Sequence, residues 1–221
     1  MGLASGGVGY LRMIVNGTFP DDYEEVYGNA LKALSFLPLD PTTEQQEAYG
    51  WVAWDDALSS DFSNGPALLA GDNMLLRMRI DTLKIPATTL KAHVEHRVKQ
   101  LAQEQGRGKL TRNERSQVTA DTKRSLRQQS LAKMALVEAQ WSMATGEIRL
   151  LGTAQRTVAL FIDLFEKTFA LKLEVMGPRN LLMMRGMTDE DLNSLAASEP
   201  DQLHLRVNAP PSVRAAVEAG S

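Results

Sequence analysis

Basic residues are concentrated in one stretch of this sequence. Residues 91–133 contain eleven Lys or Arg and four Asp or Glu, a local charge of +7, whereas the whole chain of 221 residues has a net charge of −3. The remainder of the chain therefore carries a charge of −10. Such an asymmetry indicates a surface that meets a polyanion.

Two helices are predicted within the basic stretch. The first begins at Pro86, because proline is favoured at the first position of a helix, and ends near Gln105, before a glycine-containing turn. The second runs from Thr111 to about Ser130, and its Thr111-x-x-Glu114 pattern predicts a capping box. This second helix has few apolar residues, so it does not gain its stability by burying an apolar stripe.

The second helix separates its charges by sign. Lys123 and Arg127 lie four positions apart and repel each other by about a few tenths of a kcal/mol. The turn from Gly106 to Lys109 adds cations, and no acidic residue is expected near them. An anion lying across this face would explain the arrangement; a solvated helix with internal ion pairs is the alternative. At about 100° per residue, the basic arc contains Arg112, Arg115, Thr119, Lys123 and Arg127. The opposite, polar side contains Glu114, Gln117, Asp121 and Gln128.

The rest of the sequence predicts an α+β fold with antiparallel sheets, because strands and helices follow each other in a mixed order. Alternating apolar residues predict an inward face with Met74, Leu76, Met78 and Ile80 on one strand, and with Ala135, Val137, Ala139 and Trp141 on another. Helix faces are predicted with Val26, Ala30, Leu31 and Leu34, and with Val158, Phe161, Ile162, Phe165 and Phe169. Strands are expected at 8–15, 50–54, 73–85, 133–143, 147–151 and 171–176, and helices at 21–36, 153–169 and, weakly, from 188.

Several kinds of chemistry find no support in the sequence. The chain has no cysteine, which excludes disulfides and thiolate chemistry and fits a reducing cytoplasm. His93 and His96 lie three positions apart without a third ligand at suitable spacing, so neither a metal nor another cofactor is expected. The sequence contains no run of about 18 apolar residues, so no membrane span is predicted. Residues 1–7 lack the pattern of a signal peptide and are left out of the prediction.

These features predict a non-enzymatic protein that binds duplex DNA without reading its sequence, since phosphate contacts supply affinity but no base identity. One alternative is a protein-interaction module whose basic helix docks an acidic partner, such as a recombinase or a nuclease. A more distant alternative is a metal-dependent nuclease that uses Asp55 and Asp56 or the acidic group at 189–191. The nine residues expected to contact phosphates are Arg97, Lys99, Arg107, Lys109, Arg112, Arg115, Lys123, Arg124 and Arg127.

Several short motifs, taken in order, resemble those of the RdgC family of bacterial recombination-associated proteins. The resemblance covers roughly residues 8–180, and the segment from Trp141 to Phe169 is its most specific part. The motifs are Met13-Ile14-Val15, Ala33-Leu34-Ser35-Phe36, Gly50-Trp51-Val52, Leu76-Arg77-Met78-Arg79-Ile80-Asp81 with Lys84-Ile85-Pro86, Trp141-Ser142-Met143-Ala144-Thr145-Gly146-Glu147-Ile148, and Leu164-Phe165-Glu166-Lys167-Thr168-Phe169.

The resemblance implies a homodimer that forms a ring or a horseshoe around duplex DNA. It also implies a nucleoid-associated cytoplasmic protein that restrains RecA-driven recombination by occupying DNA. The expected organisation is an RdgC-like region at 8–180, with a helical hairpin inserted at 87–131, followed by a short tail at 181–221. Two features depart from the family: well-studied members are longer at the C-terminus, and they carry an aromatic residue where this chain has Ala132 and Met134.

Overall fold

The computed structural model describes residues 9–63, 65–69 and 73–197, and the chain divides after Met176 into two compact units. The first unit contains seven strands and four helices among its described residues; the second contains two helices. The strands are β1 (Leu11–Asn16), β2 (Glu47–Trp51), β3 (Ala67–Leu69), β4 (Asn73–Thr82), β5 (Lys133–Ser142), β6 (Glu147–Leu151) and β7 (Lys172–Val175). The helices are α1 (Tyr23–Ala33), α2 (Ala87–Glu104), α3 (Arg112–Gln129), α4 (Gln155–Phe169), α5 (Pro178–Met184) and α6 (Asp189–Ala197).

All named strands belong to one antiparallel sheet, so the α+β prediction is confirmed. The strand order is β2-β4-β5-β6-β1-β7. The short β3 pairs with the first three residues of β4, from Asn73 to Leu75. The longest pairing joins β4 to β5 over ten residues, from Asn73 opposite Ser142 to Thr82 opposite Lys133. This pairing brings the two ends of the α2–α3 segment together at the end of β4 and the start of β5.

The core lies on one face of the sheet, under α1 and α4. The predicted inward residues of β4 are all buried, as are Val137, Ala139 and Trp141 of β5. Ala135 was predicted to be inward-facing but is exposed. The predicted apolar face of α4 packs on this surface through Phe161, Phe165 and Phe169, whose burial removes large apolar areas from water.

The buried face of α1 differs from the prediction. Val26 is 42% exposed, whereas Tyr27 is buried together with Leu31. The ring of Tyr27 stacks on Trp141 at a centroid distance of 5.3 Å and meets Phe169 edge-on at 4.9 Å. The aromatic ring buries more apolar area here than the valine, and this decides which side of the helix faces the sheet.

β2 begins and ends three residues earlier than predicted. Its packing requires a glycine at position 50. A Cβ atom at Gly50 would lie 2.6 Å from the Cα of Phe36, because the chain after α1 crosses directly over this strand. Backbone hydrogen bonds from Phe36 to Trp51 and from Trp51 to Leu34 fix the crossing. Trp51 itself is fully buried and donates to Thr168 of α4.

The helices α2 and α3 follow each other between β4 and β5 and pack mainly against one another. No residue of α2 is buried, and the buried residues of α3 are Val118 and Arg127. The apolar stripe of α2 (Leu90, Val94, Val98 and Leu101) is half-buried. The pair therefore keeps most of its surface in solvent.

The second unit contains a helix that the sequence did not predict, α5, and the predicted weak helix, α6. Thr188 and Asp191 exchange hydrogen bonds at the start of α6, and Arg179 pairs with Asp189 at 2.6 Å. Among the helices of residues 9–63, 65–69 and 73–197, none is long and apolar enough to cross a membrane. Residues 1–7 and the end of the predicted tail lie outside the described residues.

Candidate nucleic-acid interface

The turn between α2 and α3 is fixed by the predicted capping box, which the structure confirms. The backbone N–H of Thr111 donates to Glu114 at 2.7 Å, and the Glu114 N–H donates back to the Thr111 hydroxyl at 3.3 Å. These bonds, chiefly the one from the Thr111 N–H, hold the pKa of the Glu114 carboxyl below its ordinary value. Glu114 also binds Arg107 at 2.9 Å, so the expectation that this turn has no acid near its cations is wrong.

The two sides of α3 differ in charge, as the sequence predicted. One side faces a groove of about 410 Å³ between α3 and the turn Pro41–Glu44, and Lys123, Arg124 and Arg127 line it. The other side, with Glu114 and Asp121, faces a groove of about 660 Å³ between α2 and α3. We call these the turn groove and the inter-helix groove. The separation is incomplete, because Asp121 lies 3.9 Å from Arg124.

Five of the nine predicted contact residues make no ion pair. Within the part of the chain that the structure describes, no carboxylate lies within 4.0 Å of their charged groups. Four are exposed, and the side chain of Lys123 is half-buried in the turn groove. Their charges are therefore available to an external anion. The five are Lys99, Lys109, Arg112, Arg115 and Lys123.

Three further candidates pair with acids. Arg97 lies 4.0 Å from Glu104 and Arg124 lies 3.9 Å from Asp121, with more than half of each of the four side chains exposed. Ion pairs of this length in solvent contribute little and break easily. The ion pair of Arg107 with Glu114 is shorter, at 2.9 Å. Arg97 also lines the inter-helix groove, on the side of the acids of α3, so the nine cations do not form one continuous set.

Arg127 is not the surface contact that the sequence predicted. Arg127 is only 5% exposed. Its guanidinium donates to the carbonyl oxygen of Gln45 at 2.6 Å and to that of Pro41 at 3.4 Å. The prediction was wrong because helical periodicity places a residue on a face without showing what covers that face. Here the turn before β2 covers it.

The turn groove contains residues that the sequence analysis did not consider. Thr42 and Thr43 stand on the turn, and Ser116 stands on α3 beside the basic arc. The hydroxyl of Thr42 donates to Asp40, which shapes the turn. No sequence signal connects a turn at Pro41 with a helix that begins some seventy residues later, so only the structure brings them together.

Basic residues of the sheet and of α4 contrast with those of the helix pair. Seven of them each lie within 3.1 Å of a carboxylate: Arg12 and Arg149 with Glu147, Arg77 with Glu138, Arg79 with Asp81, Arg156 with Glu47, Lys167 with Asp163, and Lys172 with Glu166. In the described part of the first unit outside 91–133, Lys32 and Lys84 have no such partner. The cations without partners are thus concentrated on the helix pair.

Three of the five acidic residues considered for metal chemistry have other contacts. Asp56 accepts a hydrogen bond from the backbone of Leu58, Asp189 pairs with Arg179, and Asp191 caps Thr188. Among the described residues, no three His, Asp or Glu side chains are grouped so as to hold a metal ion. These carboxylates therefore have structural roles at turns and helix starts.

Comparison with known proteins adds no relative to this picture. No model of a known protein family matches the sequence, and no curated protein matches it. The resemblance to the RdgC family thus remains a prediction from the motifs quoted above.

Proposed function

We propose that this protein binds duplex DNA through backbone phosphates, without reading the base sequence, by means of the helix pair α2–α3. The observation that carries this proposal is the contrast in ion pairing. Seven basic residues of the sheet and of α4 are paired with carboxylates of the same chain, whereas within the described residues Lys99, Lys109, Arg112, Arg115 and Lys123 have no such partner. Cations without an internal carboxylate partner can bind an external polyanion without first breaking an ion pair.

The physics of phosphate binding favours DNA over a small anion as the partner. Each cation that neutralises a phosphate releases a condensed counterion, so several solvent-exposed cations on one element add up to useful affinity. Arginine matches the geometry of two phosphate oxygens, and Arg112 and Arg115 lie one helical turn apart at the start of α3. Helices α2 and α3 contain no Phe, Tyr or Trp on which bases of a single strand could stack.

The proposal extends to assembly and biological role through the resemblance to the RdgC family. A homodimer in a ring or horseshoe would place two helix pairs around one duplex, and occupancy of DNA would restrain RecA in the nucleoid. Large apolar side chains at the start of β5 support a contact between copies, since Leu131 is 96% exposed and Met134 and Leu136 are more than 40% exposed. Light scattering of the purified protein measures the assembly directly.

Charge reversal on α3 tests the binding. We expect Arg112→Glu with Arg115→Glu to weaken binding to a random duplex at least a hundredfold, because two attractive contacts become repulsive. The matched control is Lys32→Glu with Lys84→Glu, which makes the same charge change at unpaired cations outside the helix pair. Equal loss in both double variants would reject the assignment of the site. Tighter binding of the parent to polyglutamate than to duplex would favour the acidic-protein partner instead.

A further inference from the structure

We infer that the turn groove is a phosphate subsite, in which α3 and the turn Pro41–Glu44 together hold one phosphate group of the DNA backbone. The inference rests on the proposed function and adds to it a fixed position. The other unpaired cations of the helix pair act on the duplex as exposed charges, whereas this groove surrounds its ligand with side chains from two elements.

A buried positive charge lies behind the groove. Arg127 is bound by two backbone carbonyl oxygens, and within the described residues no carboxylate lies within 4.0 Å of its guanidinium. These carbonyl dipoles accept hydrogen bonds from two of its nitrogens without cancelling its charge. Because a charge away from solvent is screened less than one at the surface, Arg127 makes the electrostatic potential in the adjoining groove more positive.

Two cations and one hydroxyl complete the site. Lys123 and Arg124 line the groove on the side of α3, and Lys123 has no carboxylate partner in the described part of the chain. Ser116 lies nearly two turns earlier on the same side, and among the described residues its hydroxyl makes no hydrogen bond. An ammonium, a guanidinium and a free O–H are the donors that a phosphate oxygen accepts most readily.

The threonines of the groove shape it rather than donate to the ligand. The hydroxyls of Thr42 and Thr43 already donate to Asp40, at 2.6 Å and 2.9 Å, and Thr119 donates to the carbonyl oxygen of Arg115 at 2.8 Å. Each hydroxyl has a single proton, so these three are committed within the fold. Ser116 is consequently the hydroxyl donor that a phosphate can use.

One residue of the groove opposes an anion. Glu44 is the only carboxylate among the described residues that line it. Its charge reduces the attraction for phosphate, so its removal should strengthen binding. A subsite predicts this gain.

The test measures duplex binding by fluorescence anisotropy across a salt series, with variants on the two sides of α3. We expect Ser116→Ala to weaken binding about tenfold and Ser125→Ala, on the opposite side of α3, to leave it unchanged. Lys123→Gln should also lower the magnitude of the log–log salt slope by about 0.9, as expected for one lost phosphate contact. Glu44→Gln should tighten binding about threefold.

Equal affinities of the Ser116→Ala and Ser125→Ala variants, or no gain from Glu44→Gln, would overturn the subsite while leaving DNA binding in place. A parent protein that binds no duplex would overturn the proposed function instead. In that case, the subsite is tested with inorganic phosphate alone. At matched ionic strength, added phosphate must raise the Tm of the parent more than that of the Lys123→Gln variant. An equal rise in both proteins would reject the subsite.

Discussion

Arg127 donates a hydrogen bond of 2.6 Å to the backbone carbonyl oxygen of Gln45, and this contact ties α3 to the turn before β2. The bond joins residues 82 positions apart in the sequence. It fixes one side of a charged helix that has little else to bury, since Val118 is the other buried residue of α3. The helix pair is thereby anchored at its base while most of its other cations remain exposed.

The anchoring role of Arg127 predicts a loss of stability when it is replaced. Arg127→Met should lower the free energy of unfolding by about 2 kcal/mol, because α3 loses both charge-assisted hydrogen bonds that tie it to the turn before β2. Arg124→Met, three residues earlier and exposed, should change it by less than about 0.5 kcal/mol. Urea denaturation followed by circular dichroism measures both. Indistinguishable midpoints for the two variants would contradict the anchor.

The hydrogen bond between Trp51 and Thr168 predicts that the stability of the fold depends on the side-chain oxygen of Thr168. The indole N–H of the fully buried Trp51 donates to the Thr168 hydroxyl at 2.7 Å. Thr168→Val should destabilise the protein by about 1–3 kcal/mol, because it leaves that N–H buried without an acceptor. Thr168→Ser retains the oxygen and should restore most of the loss. A serine variant as unstable as the valine variant would show that packing, not the hydrogen bond, is responsible.

The close crossing at Gly50 predicts intolerance of a single methyl group. Gly50→Ala would place a Cβ atom 2.6 Å from the backbone of Phe36, and the required shift should cost about 1–3 kcal/mol. Gly108→Ala is the matched control, since a Cβ there meets nothing within 4 Å. Thermal unfolding should show a lower Tm for the first variant alone. An unchanged Tm for Gly50→Ala would mean that the chain after α1 can move away from β2.

The pairing of Glu147 with Arg12 predicts how stability changes in acid. Hydrogen bonding to Arg12, opposed by burial and helped by Arg149, holds the pKa of the Glu147 carboxyl below its ordinary value of 4.5. Its contribution is therefore complete above pH 4.5 and is lost as the pH falls through the lowered pKa of the folded state. Glu147→Gln should reduce stability at neutral pH and flatten its decline below pH 4.5. A parallel decline in both proteins would contradict this assignment.

Much of the fold could be predicted from local sequence patterns. The alternation along β4 gave the correct buried face because every second side chain of a strand points the same way. The capping box at Thr111 needed only residues within one helical turn, and the structure contains it. Likewise, the acids and cations of α3 fall on opposite sides because the 3.6-residue period is a local property.

What could not be predicted depends on contacts between distant segments. Helical periodicity placed Arg127 with the other cations, but its burial depends on the turn at Pro41–Gln45. The choice between Val26 and Tyr27 on α1 depends on the aromatic cluster around Trp141. The short β3 was not predicted, because its three residues carry too little pattern to distinguish a strand from a loop.

Salt dependence of duplex binding is the most direct measurement of whether the helix pair meets backbone phosphates. If about six phosphates are contacted, a plot of log K against log salt should have a slope near −5. Two duplexes of unrelated sequence should give the same slope and the same affinity. Absence of binding at low salt, a slope near zero, or a strong preference for one of the two sequences would contradict the account.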